Sequence, residues 1–463
     1  MDKKKVFVLL PDGVGLRNFA FTKFPEIGHK EGLDVVYWNN TVKNLEGIGL
    51  KEVKIKDAKL HPFTDILKNA KIHISLNQFI KNTNDKTYNT YRFPFNTKTL
   101  KSKLKTICTR VLIQFYNTQK GLESLSGKIK SRERKTAFYS SSLDALKREK
   151  PSFVFCTNQR PSLAIAPLLA AQDLGIPTAT FIFSWDNLPK ATMVVDTDYY
   201  FVWSDYMKDE LLFYYPHINK DQVIVTGTPQ FEPHFNEELL VERKAFCKQY
   251  NLDENKKYIC FSGDDITTSP DDEQYLEAIA DAVLQLNKKG HNLGVIFRRC
   301  PVDFSDRYDV VLEKYNDIIV SIDPLWSQNG DSWNTVMPTK EDLTLLVNVI
   351  KHSEMVVNIA SSMVFDFGCF GKPCLYINYN CEQKRVNTWR PETVYNFIHF
   401  RSMPNEKSVV WLTNKDEIEN KVESVLKKPK QTLKYVEDWF QTINYHPPQF
   451  ASDRIWEAIK SKI

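Results

Sequence analysis

The sequence predicts an α/β fold with two Rossmann-like domains, and three observations support this prediction. Short apolar segments of strand length alternate with helix-length segments through most of the chain, which is typical of parallel sheets. The series stops near residue 229 and begins again at residue 258, after a polar segment of helical character. The chain of 463 residues also exceeds the usual size of a single core and suits two domains.

The strands of the first domain are predicted from its short apolar runs. The first lies at 6–10 and ends in a Pro-Asp-Gly loop. The others lie at 33–38, 71–75, 153–156, 178–183, 199–202 and 223–226. A helix is predicted at 162–175, because Gly175-Ile176-Pro177 ends a helix and starts the next strand.

The second domain repeats this alternation. Its predicted strands lie at 258–261, 293–297, 317–321, 355–357 and 374–377. The last segment is helical at 435–440 and 451–463 and lies outside both series. We therefore expect a first domain at 1–235, a second domain at 236–434 and a closing helical segment at 435–463.

Composition limits the class of protein. The net charge of +5, from 62 basic and 57 acidic residues, is too weakly basic to predict a nucleic-acid partner. The eight cysteines form no Cys-x-x-Cys pair, which favours reduced thiols in a cytoplasmic protein. The apolar run at 6–10 is too short for a signal peptide, and no apolar run reaches transmembrane length.

Residues 98–135 form a basic segment. Glu123 and Glu133 are its only acidic residues, against many lysines and arginines. Apolar residues recur at helical spacing, and basic residues lie mostly off this stripe: Leu100, Leu104, Ile107, Val111 and Phe115 against Lys101, Lys105 and Arg110. Two interpretations remain open, a helix lying peripherally on an anionic membrane surface and a helix whose apolar stripe faces the core.

The segment at 358–368 carries the clearest sign of a binding site. An apolar strand ends there in Ser361-Ser362, and a helical stretch containing Asp366 follows. Free N–H groups at a helix start attract anions, and the two hydroxyls add hydrogen-bond donors. We interpret the serines as binding the phosphate of a nucleotide sugar and Asp366 as accepting from a sugar hydroxyl. An ordinary capped helix is the alternative.

Two further loops of the second domain suit the same ligand. Ser262 and Gly263 follow the strand at 258–261, where glycine permits close approach of a phosphate and serine adds a hydroxyl. Arg298 and Arg299 end the strand at 293–297. A guanidinium there would neutralise a departing phosphate or pair with a carboxylate sugar. A surface arginine pair is the alternative.

Two Rossmann halves followed by a closing helix resemble the B-type (GT-B) glycosyltransferases over nearly the whole chain. The sequences Ser-Trp-Asp-Asn-Leu at 184–188 and Val-Thr-Gly-Thr-Pro-Gln-Phe at 225–231 resemble bacterial cell-surface glycosyltransferases. The run at 361–367, with Gly-Lys-Pro after it, is similar to donor-phosphate segments of two groups. These groups are wall-polymer glycerophosphotransferases and transferases of sialic-acid-like or Kdo sugars from CMP. The sequence at 451–455 resembles their closing helix.

This resemblance implies an architecture and a set of partners. The two domains would face a cleft, with a nucleotide-sugar donor on the second domain and a glycan, glycolipid or glycoprotein acceptor on the first. The pair Asp264-Asp265 would suit a metal, but the resemblance implies no metal and no cofactor. The CMP-dependent families carry His-Pro near Arg299, whereas this chain has Cys300-Pro301.

The resemblance also implies a catalytic base in the first domain. An acidic residue before glycine is the base of sialyltransferase-like enzymes, and Asp12-Gly13 resembles that pair. A carboxylate there would deprotonate the acceptor hydroxyl, and an ordinary Asp-Gly turn is the alternative. Asp186 is the second candidate base. The predicted acceptor-binding residues are Arg17, Asn18 and Arg160.

The sequence therefore predicts a metal-independent glycosyltransferase that moves a sugar from a nucleotide donor to a hydroxyl. One alternative keeps the chemistry but changes the transferred group to a CMP-linked nonulosonic or Kdo sugar, or to glycerol phosphate. Another is a nucleotide-sugar epimerase or a non-catalytic binding partner. His29, His234 and His352 have no partner at a recognisable sequence spacing, so we assign them no catalytic role.

Overall fold

The computed structural model describes residues 3–56, 58–328 and 336–463. These residues form two compact units, one made of Met1–Pro229 with Ile443–Ile463 and the other of Gln230–Thr442. Each unit is built around a parallel sheet with helices between its strands. The predicted α/β class with two Rossmann-like halves is confirmed.

The first unit holds a seven-stranded sheet in the order β3-β2-β1-β4-β5-β6-β7, and all its neighbours are parallel. Its strands are β1 Lys5–Leu10, β2 Asp34–Asn39, β3 Glu52–Lys54, β4 Phe153–Cys156, β5 Thr178–Phe181, β6 Tyr199–Val202 and β7 Val223–Val225. The chain winds outward in both directions from the β1/β4 pair. That pair is therefore the point at which the winding reverses.

Helices cover both faces of this sheet. They are α1 Val14–Phe19, α2 Phe24–Lys30, α3 Thr64–Thr83, α4 Leu100–Tyr116, α5 Gln119–Glu133, α6 Ala137–Glu149, α7 Ile165–Asp173 and α8 Asp205–Tyr214. Alternate residues of β4 serve the two faces: Val154 packs in a core with residues of α3, α5 and α7, and Phe155 packs edge-on against Phe19. The central strands are accordingly apolar throughout.

One predicted strand is wrong. Residues 71–75 lie inside α3, where Ile66, Ala70 and Ile74 recur at helical spacing and are buried. The alternation of Ile72 and Ile74 is too short to distinguish a strand from a buried helix. The third strand is instead β3, a three-residue polar strand at the edge of the sheet.

The second unit holds a six-stranded sheet in the order β10-β9-β8-β13-β14-β15, with a separate antiparallel pair, β11 and β12. The strands are β8 Lys257–Ser262, β9 Leu293–Arg298, β10 Ile319–Ser321, β11 Ser327–Gln328, β12 Val336–Met337, β13 Ser353–Asn358, β14 Cys374–Ile377 and β15 Val410–Leu412. Winding here reverses at the β8/β13 pair.

The helices of the second unit complete the alternation. They are α9 Arg243–Gln249, α10 Asp272–Lys288, α11 Asp309–Lys314, α12 Lys340–His352, α13 Met363–Cys369, α14 Pro391–Tyr395, α15 Ile418–Lys427 and α16 Leu433–Ile443. Residues of α10 and α15 pack in one core with the strands β8, β9 and β13. None of the helices within the described parts of the chain is both long and apolar enough to cross a bilayer.

The closing segment is shared between the units. Trp439 and Phe440 of α16 pack against Phe365 in the second unit. The last helix, α17 Ala451–Lys460, belongs to the first unit, where the Trp456 ring stacks on Phe24 at 4.5 Å. The units thus divide at 229 and 442, compared with 235 and 434 in the sequence analysis.

The structure decides between the two orientations of the basic helix α4. Its apolar stripe faces solvent, with exposed fractions of 75 % for Leu100, 56 % for Leu104, 57 % for Ile107, 46 % for Val111 and 77 % for Phe115. The buried face carries Thr106 and Thr109, beside the partly buried Leu112 and Ile113. The interpretation that this stripe faces the core is therefore wrong, because a second face packs inward.

Candidate functional site

Most predicted site residues follow the strands at which the winding reverses. In open parallel sheets, ligands bind beyond the carboxyl ends of the strands at this point. Asp12 follows β1, and Arg160 follows β4, its neighbour in the first sheet. Gly263 follows β8 and Ser361 follows β13, which are neighbours in the second sheet. Each sheet therefore brings together residues that are far apart in the sequence.

Asp12 is held by two hydrogen bonds from neutral groups. Its Oδ1 accepts from the Val14 N–H at 3.2 Å, and its Oδ2 accepts from Asn158 Nδ2 at 3.0 Å. Burial raises the pKa of Asp12 to about 6, although these hydrogen bonds and the charge of Arg160 oppose the rise. The bond to Val14 is the one expected of a turn, but the bond to Asn158 fixes the carboxylate beyond the strand ends. A carboxylate with this pKa suits a general base.

Positively charged groups lie near this carboxylate. Asn158 links the two loops, since its Oδ1 also accepts from the Arg160 N–H at 3.1 Å. Lys68 Nζ donates to the Arg160 carbonyl at 3.3 Å. Within the described residues, the Arg17 side chain on α1 makes no hydrogen bond or ion pair. These cations would suit an acidic acceptor, which stays a prediction.

The loop after β1 is closely packed. A Cβ at Gly15 would lie 2.4 Å from Thr157 Oγ1, so only glycine lets α1 approach the end of β4. Asn18 is 1 % exposed, and its Nδ2 is buried without a hydrogen-bond partner in the part of the chain that the structure describes. Its side chain is thus placed inside the fold, and its predicted acceptor role is untested.

Asp186, the second candidate base, is ion-paired. Lys190 Nζ donates to its Oδ2, and Asn187 Nδ2 donates to its Oδ1 at 2.8 Å. Asn187 in turn accepts from Gln159 Nε2 at 3.1 Å, which ties this turn to the loop after β4. Asp186 is thus paired with a direct cation, whereas both hydrogen-bond donors to Asp12 are neutral groups.

Glu210 on α8 is a group that the sequence analysis missed. Burial, with the negative charge of Asp186 as a second cause, raises the pKa of Glu210 to about 8. Its Oε2 is buried and has no hydrogen-bond partner among the described residues. No sequence signal identifies it, since a glutamate on a helix is usually a solvated surface residue.

In the second unit, Ser262 and Gly263 end β8 in a crowded setting. Ser262 is 8 % exposed. A Cβ at Gly263 would lie 3.0 Å from the Phe297 ring and 3.1 Å from Tyr308 Oη. The space beside Gly263 is therefore occupied by neighbouring side chains. The predicted role of Gly263 toward a phosphate stays a prediction.

The two arginines that follow in the chain have internal partners. Arg298 Nη2 lies 2.8 Å and 3.0 Å from the two carboxylate oxygens of Asp342, and both side chains are 7 % exposed. Burial alone would raise the pKa of Asp342, but the positive charge of Arg298 holds this pKa below its ordinary value. Arg299 donates to the Ser305 carbonyl at 2.6 Å and lies over the Tyr308 ring. Arg298 is thus in a buried ion pair, and the surface-pair alternative is wrong for it.

A buried acidic pair lies beside Gly263. The Asp264 N–H donates to Asp272 Oδ2 at 3.1 Å, and Tyr308 Oη donates to the same oxygen at 2.8 Å. Burial and the charge of Asp272 raise the pKa of Asp264 well above its ordinary value, and burial raises that of Asp272 to about 6. Throughout 3–56, 58–328 and 336–463, no three His, Cys, Asp or Glu residues are grouped so that they could hold a metal ion.

The loop after β13 has a backbone conformation that is unusual for its residues. Ala360 has a φ of 56°, in the left-handed region that favours glycine. The Ser361 N–H donates to Asn358 Oδ1 at 3.1 Å, and Ser361 Oγ accepts from the Met363 N–H at 3.4 Å. Ser362 precedes α13 but makes no side-chain capping bond. The capped-helix alternative therefore does not account for the Ser362 hydroxyl.

Asp366 has a partner that the sequence analysis did not foresee. His234 Nε2 lies 2.7 Å from Asp366 Oδ1, and the two side chains are 1 % and 4 % exposed. Sequence spacing could not reveal this partner of His234, because the fold joins residues 132 positions apart. One Asp366 oxygen is occupied by this contact, and its role toward a sugar hydroxyl stays a prediction.

Comparisons with known proteins support the fold. A scan against protein-family models and a search of curated proteins found no match. Among solved structures, a putative UDP-N-acetylglucosamine 2-epimerase from Listeria monocytogenes is similar at a TM-score of 0.55 and 12% identity, over 99% of this chain and 96% of that one. The UDP-GlcNAc 2-epimerase from Neisseria meningitidis, bound to UDP-GlcNAc, is similar at 0.53 and 14% identity, over 100% of both chains.

A glycosyltransferase from Rickettsia africae ESF-5 is similar to the same extent, with a TM-score of 0.52 and 12% identity over 100% of this chain and 99% of that one. Identities this low carry information about the fold alone. The predicted resemblance to the B-type glycosyltransferases is confirmed at that level. The chain has the two-Rossmann-domain fold that a glycosyltransferase and several epimerases share.

Proposed function

We propose that the protein is a metal-independent glycosyltransferase that moves a sugar from a nucleotide donor to a hydroxyl of a surface glycan, glycolipid or glycoprotein. The observation that carries this proposal is Asp12, a carboxylate of pKa about 6 fixed at the point of winding reversal by Asn158. Such a base accelerates glycosyl transfer by taking the proton of the acceptor hydroxyl. The fold supports it, since one structural neighbour is a glycosyltransferase and others were solved with UDP or UDP-GlcNAc.

In this proposal, Asp12 takes the proton of the acceptor hydroxyl as its oxygen bonds to the anomeric carbon of the sugar. The bond between that carbon and the nucleotide phosphate breaks, and the phosphate leaves with the electron pair. The hydroxyls of Ser262, Ser361 and Ser362 would stabilise its charge, together with Arg299. Electrostatic stabilisation of this kind usually contributes the largest share of catalysis.

The nucleotide is the first property to measure. We would record the melting temperature with UDP, CMP, CDP and GDP, with and without magnesium. A ligand at one hundred times its dissociation constant stabilises the folded state by about 2.7 kcal/mol. A shift with CMP or CDP would support the nonulosonic, Kdo or glycerol-phosphate alternative, and a shift with UDP a hexose donor. If no nucleotide shifts the melting temperature, the proposal fails.

An epimerase is the second candidate, and Glu210 is the observation that favours it. With a pKa of about 8, Glu210 is protonated at neutral pH, so the first unit holds both an acid and a base. Inversion by a base and an acid removes a proton from the carbon and returns one from solvent. Incubation with UDP-GlcNAc in deuterated water, without an acceptor, would therefore add deuterium to the sugar if the protein is an epimerase. A glycosyltransferase would leave the sugar unlabelled. If labelling is seen, Glu210→Gln should abolish it, because the acid is then missing.

A further inference from the structure

The outer face of α4 combines exposed apolar side chains with flanking positive charge. At about 100° per residue, Leu100, Leu104, Ile107, Val111 and Phe115 fall within an arc of roughly 80°. All five are exposed in the structure. Apolar groups of this size are ordinarily buried, so a contiguous stripe of five marks a contact surface.

Basic residues border the stripe on both sides. Lys101 falls along one edge, with Lys105 further round the helix on the same side, and Lys103 and Arg110 fall along the other edge. The helix contains no acidic residue. Lys105 has only a long contact with Asp65, at 3.9 Å, and Arg110 lies over the Phe95 ring at 5.0 Å. Most of this positive charge is therefore not neutralised by carboxylates in the described residues.

A polar depression continues the surface at the start of α4. Its volume is about 380 Å³, and its lining includes Lys101, Lys105, His73 and Phe93. Phe93 is 66 % exposed, so the depression also presents an apolar side chain to solvent. The combination of two lysines and an aromatic ring suits a charged head group beside an apolar phase.

We propose that this face of α4 docks on the surface of an anionic lipid bilayer. The apolar stripe would enter the boundary between head groups and acyl chains, while the lysines and Arg110 contact the anionic head groups. The charge pattern favours lipid over a second copy of the chain. In a symmetric dimer, the same patch meets itself, which would place these cations against one another. This proposal does not depend on the proposed glycosyl transfer.

Sedimentation with lipid vesicles tests the proposal on the full-length protein. We expect binding to phosphatidylcholine vesicles that contain phosphatidylglycerol, and far weaker binding to phosphatidylcholine alone. Binding should weaken as salt is raised, because exposed charges are screened. Equal binding to both kinds of vesicle, or none to either, would overturn the proposal.

Two sets of variants separate the apolar and electrostatic contributions. Leu104→Ser with Ile107→Ser and Phe115→Ser should weaken binding by more than about tenfold, because the buried apolar area is lost. Lys101→Glu with Lys103→Glu and Arg110→Glu should weaken it on the order of a hundredfold on anionic vesicles. The matched control is Phe304→Ser with Val310→Ser, which removes two exposed apolar side chains of the second unit and should leave binding unchanged.

The melting temperature and the oligomeric state complete the experiment. All these substitutions are at exposed positions, so the melting temperatures should stay close to that of the wild type. The proposal is wrong if the wild type is a dimer in solution, the serine variants are monomeric and neither binds vesicles. It is also wrong if the serine variants bind vesicles as strongly as the wild type does.

Discussion

In both sheets, polar side chains lie beyond the strands at which the winding reverses, but the acidic side chains differ in their partners. Beyond β1 and β4, the Asp12 carboxylate accepts hydrogen bonds from two neutral groups, an amide N–H and the Asn158 side chain. Beyond β8 and β9, two acidic side chains are paired with arginines, Asp342 with Arg298 and Asp303 with Arg307. The buried pair Asp264–Asp272 is the exception in this unit, because burial raises the pKa of Asp272 to about 6. An acid that is not neutralised by a direct cation can take up a proton near neutral pH, whereas paired groups form a rigid scaffold.

This difference suggests a division of labour. We infer that chemistry depends on the first unit and that the second unit holds a ligand in a fixed frame. If so, substitutions in the first unit should change rates, and those in the second should change stability or affinity. The following predictions test this contrast, from the largest expected effect to the smallest.

Replacing Asp12 should have the largest effect. Asp12→Asn removes the base and should lower turnover about 10²–10⁴-fold, with nucleotide affinity unchanged. The measurement is the rate of donor consumption, with Asp209→Asn, an exposed carboxylate on α8, as the control. Full turnover in Asp12→Asn would show that Asp12 is only a turn residue.

The pH dependence tests the same residue independently of the mutant rate. Since the base must be deprotonated, kcat/KM should rise with pH up to about 6, the pKa of Asp12. The contribution of Asp12 to the free energy of unfolding should instead fall as pH rises. Folding raises the pKa of Asp12 from 3.8 to about 6, so its contribution to stability is present below 3.8 and is lost as pH rises to 6. Denaturation curves of Asp12→Asn should lack this decline, and a decline equal to that of the wild type would contradict the assignment.

Breaking the Arg298–Asp342 pair should mainly affect stability. Arg298→Met leaves the Asp342 carboxylate buried without its cation and should cost about 3–5 kcal/mol in the free energy of unfolding. Folding lowers the pKa of Asp342, so the stability of this pair is present above the unfolded pKa and is lost as pH falls through the folded one. The variant should lose that acid sensitivity in urea titrations.

Arg160→Met is the matched control in the first unit. The Arg160 side chain has no direct ion pair among the described residues, so the substitution should cost less than about 1 kcal/mol. A cost as large as that of Arg298→Met would remove the contrast between the two sites.

Removing the hydroxyls after β13 should affect affinity alone. Ser361→Ala with Ser362→Ala should weaken nucleotide binding roughly tenfold, at about 0.5–1.5 kcal/mol for each hydrogen bond. The melting temperature without nucleotide should hardly change, because Ser362 makes no capping bond and Ser361 makes only a long one. Ser321→Ala, on the edge strand β10, is the control for calorimetric titration. Unchanged affinity in the double variant would place the phosphate elsewhere.

The sequence predicted the sheets well because their central strands are apolar on both faces. The strands β1, β4, β8 and β13 lie within a few residues of their predicted positions, since burial on both faces leaves a run that is easy to recognise. Edge strands are harder to recognise: β7 and β10 were predicted, but β15 and β3, which is polar and three residues long, were missed. Residues 71–75 were misassigned because a short apolar run does not distinguish a strand from a helix.

The site was predictable only in part, because the sequence shows which residues follow a strand but not which side chains they contact. A residue that follows a strand, such as Asp12 or Ser361, can be placed at the binding edge of a sheet from the sequence alone. Its partner cannot, because the pairs His234–Asp366 and Arg298–Asp342 join residues far apart in the chain. The exposure of the α4 stripe could not be predicted either. It depends on which face of the helix packs inward, and in α4 this is the face that carries Thr106 and Thr109.

The smallest predicted effect concerns backbone strain, of which each unit carries an example. Ala360 and Ala191 both have a φ of 56°, where an alanine costs about 1–2 kcal/mol relative to a right-handed conformation. Ala360→Gly and Ala191→Gly should each raise the free energy of unfolding by at most about 1 kcal/mol, because glycine also gains entropy in the unfolded chain. Urea denaturation measures this gain.

The two alanines should differ in what else they change. Ala360 immediately precedes the serines, and we infer that the strain there fixes their backbone for a ligand. Ala360→Gly should therefore weaken nucleotide binding about two- to threefold while it stabilises the fold, whereas Ala191→Gly should stabilise without changing affinity. If Ala360→Gly gains stability and keeps full affinity, the strain at the end of β13 has no part in binding. The second unit would then hold its ligand without the rigid loop that the contrast with the first unit assumes.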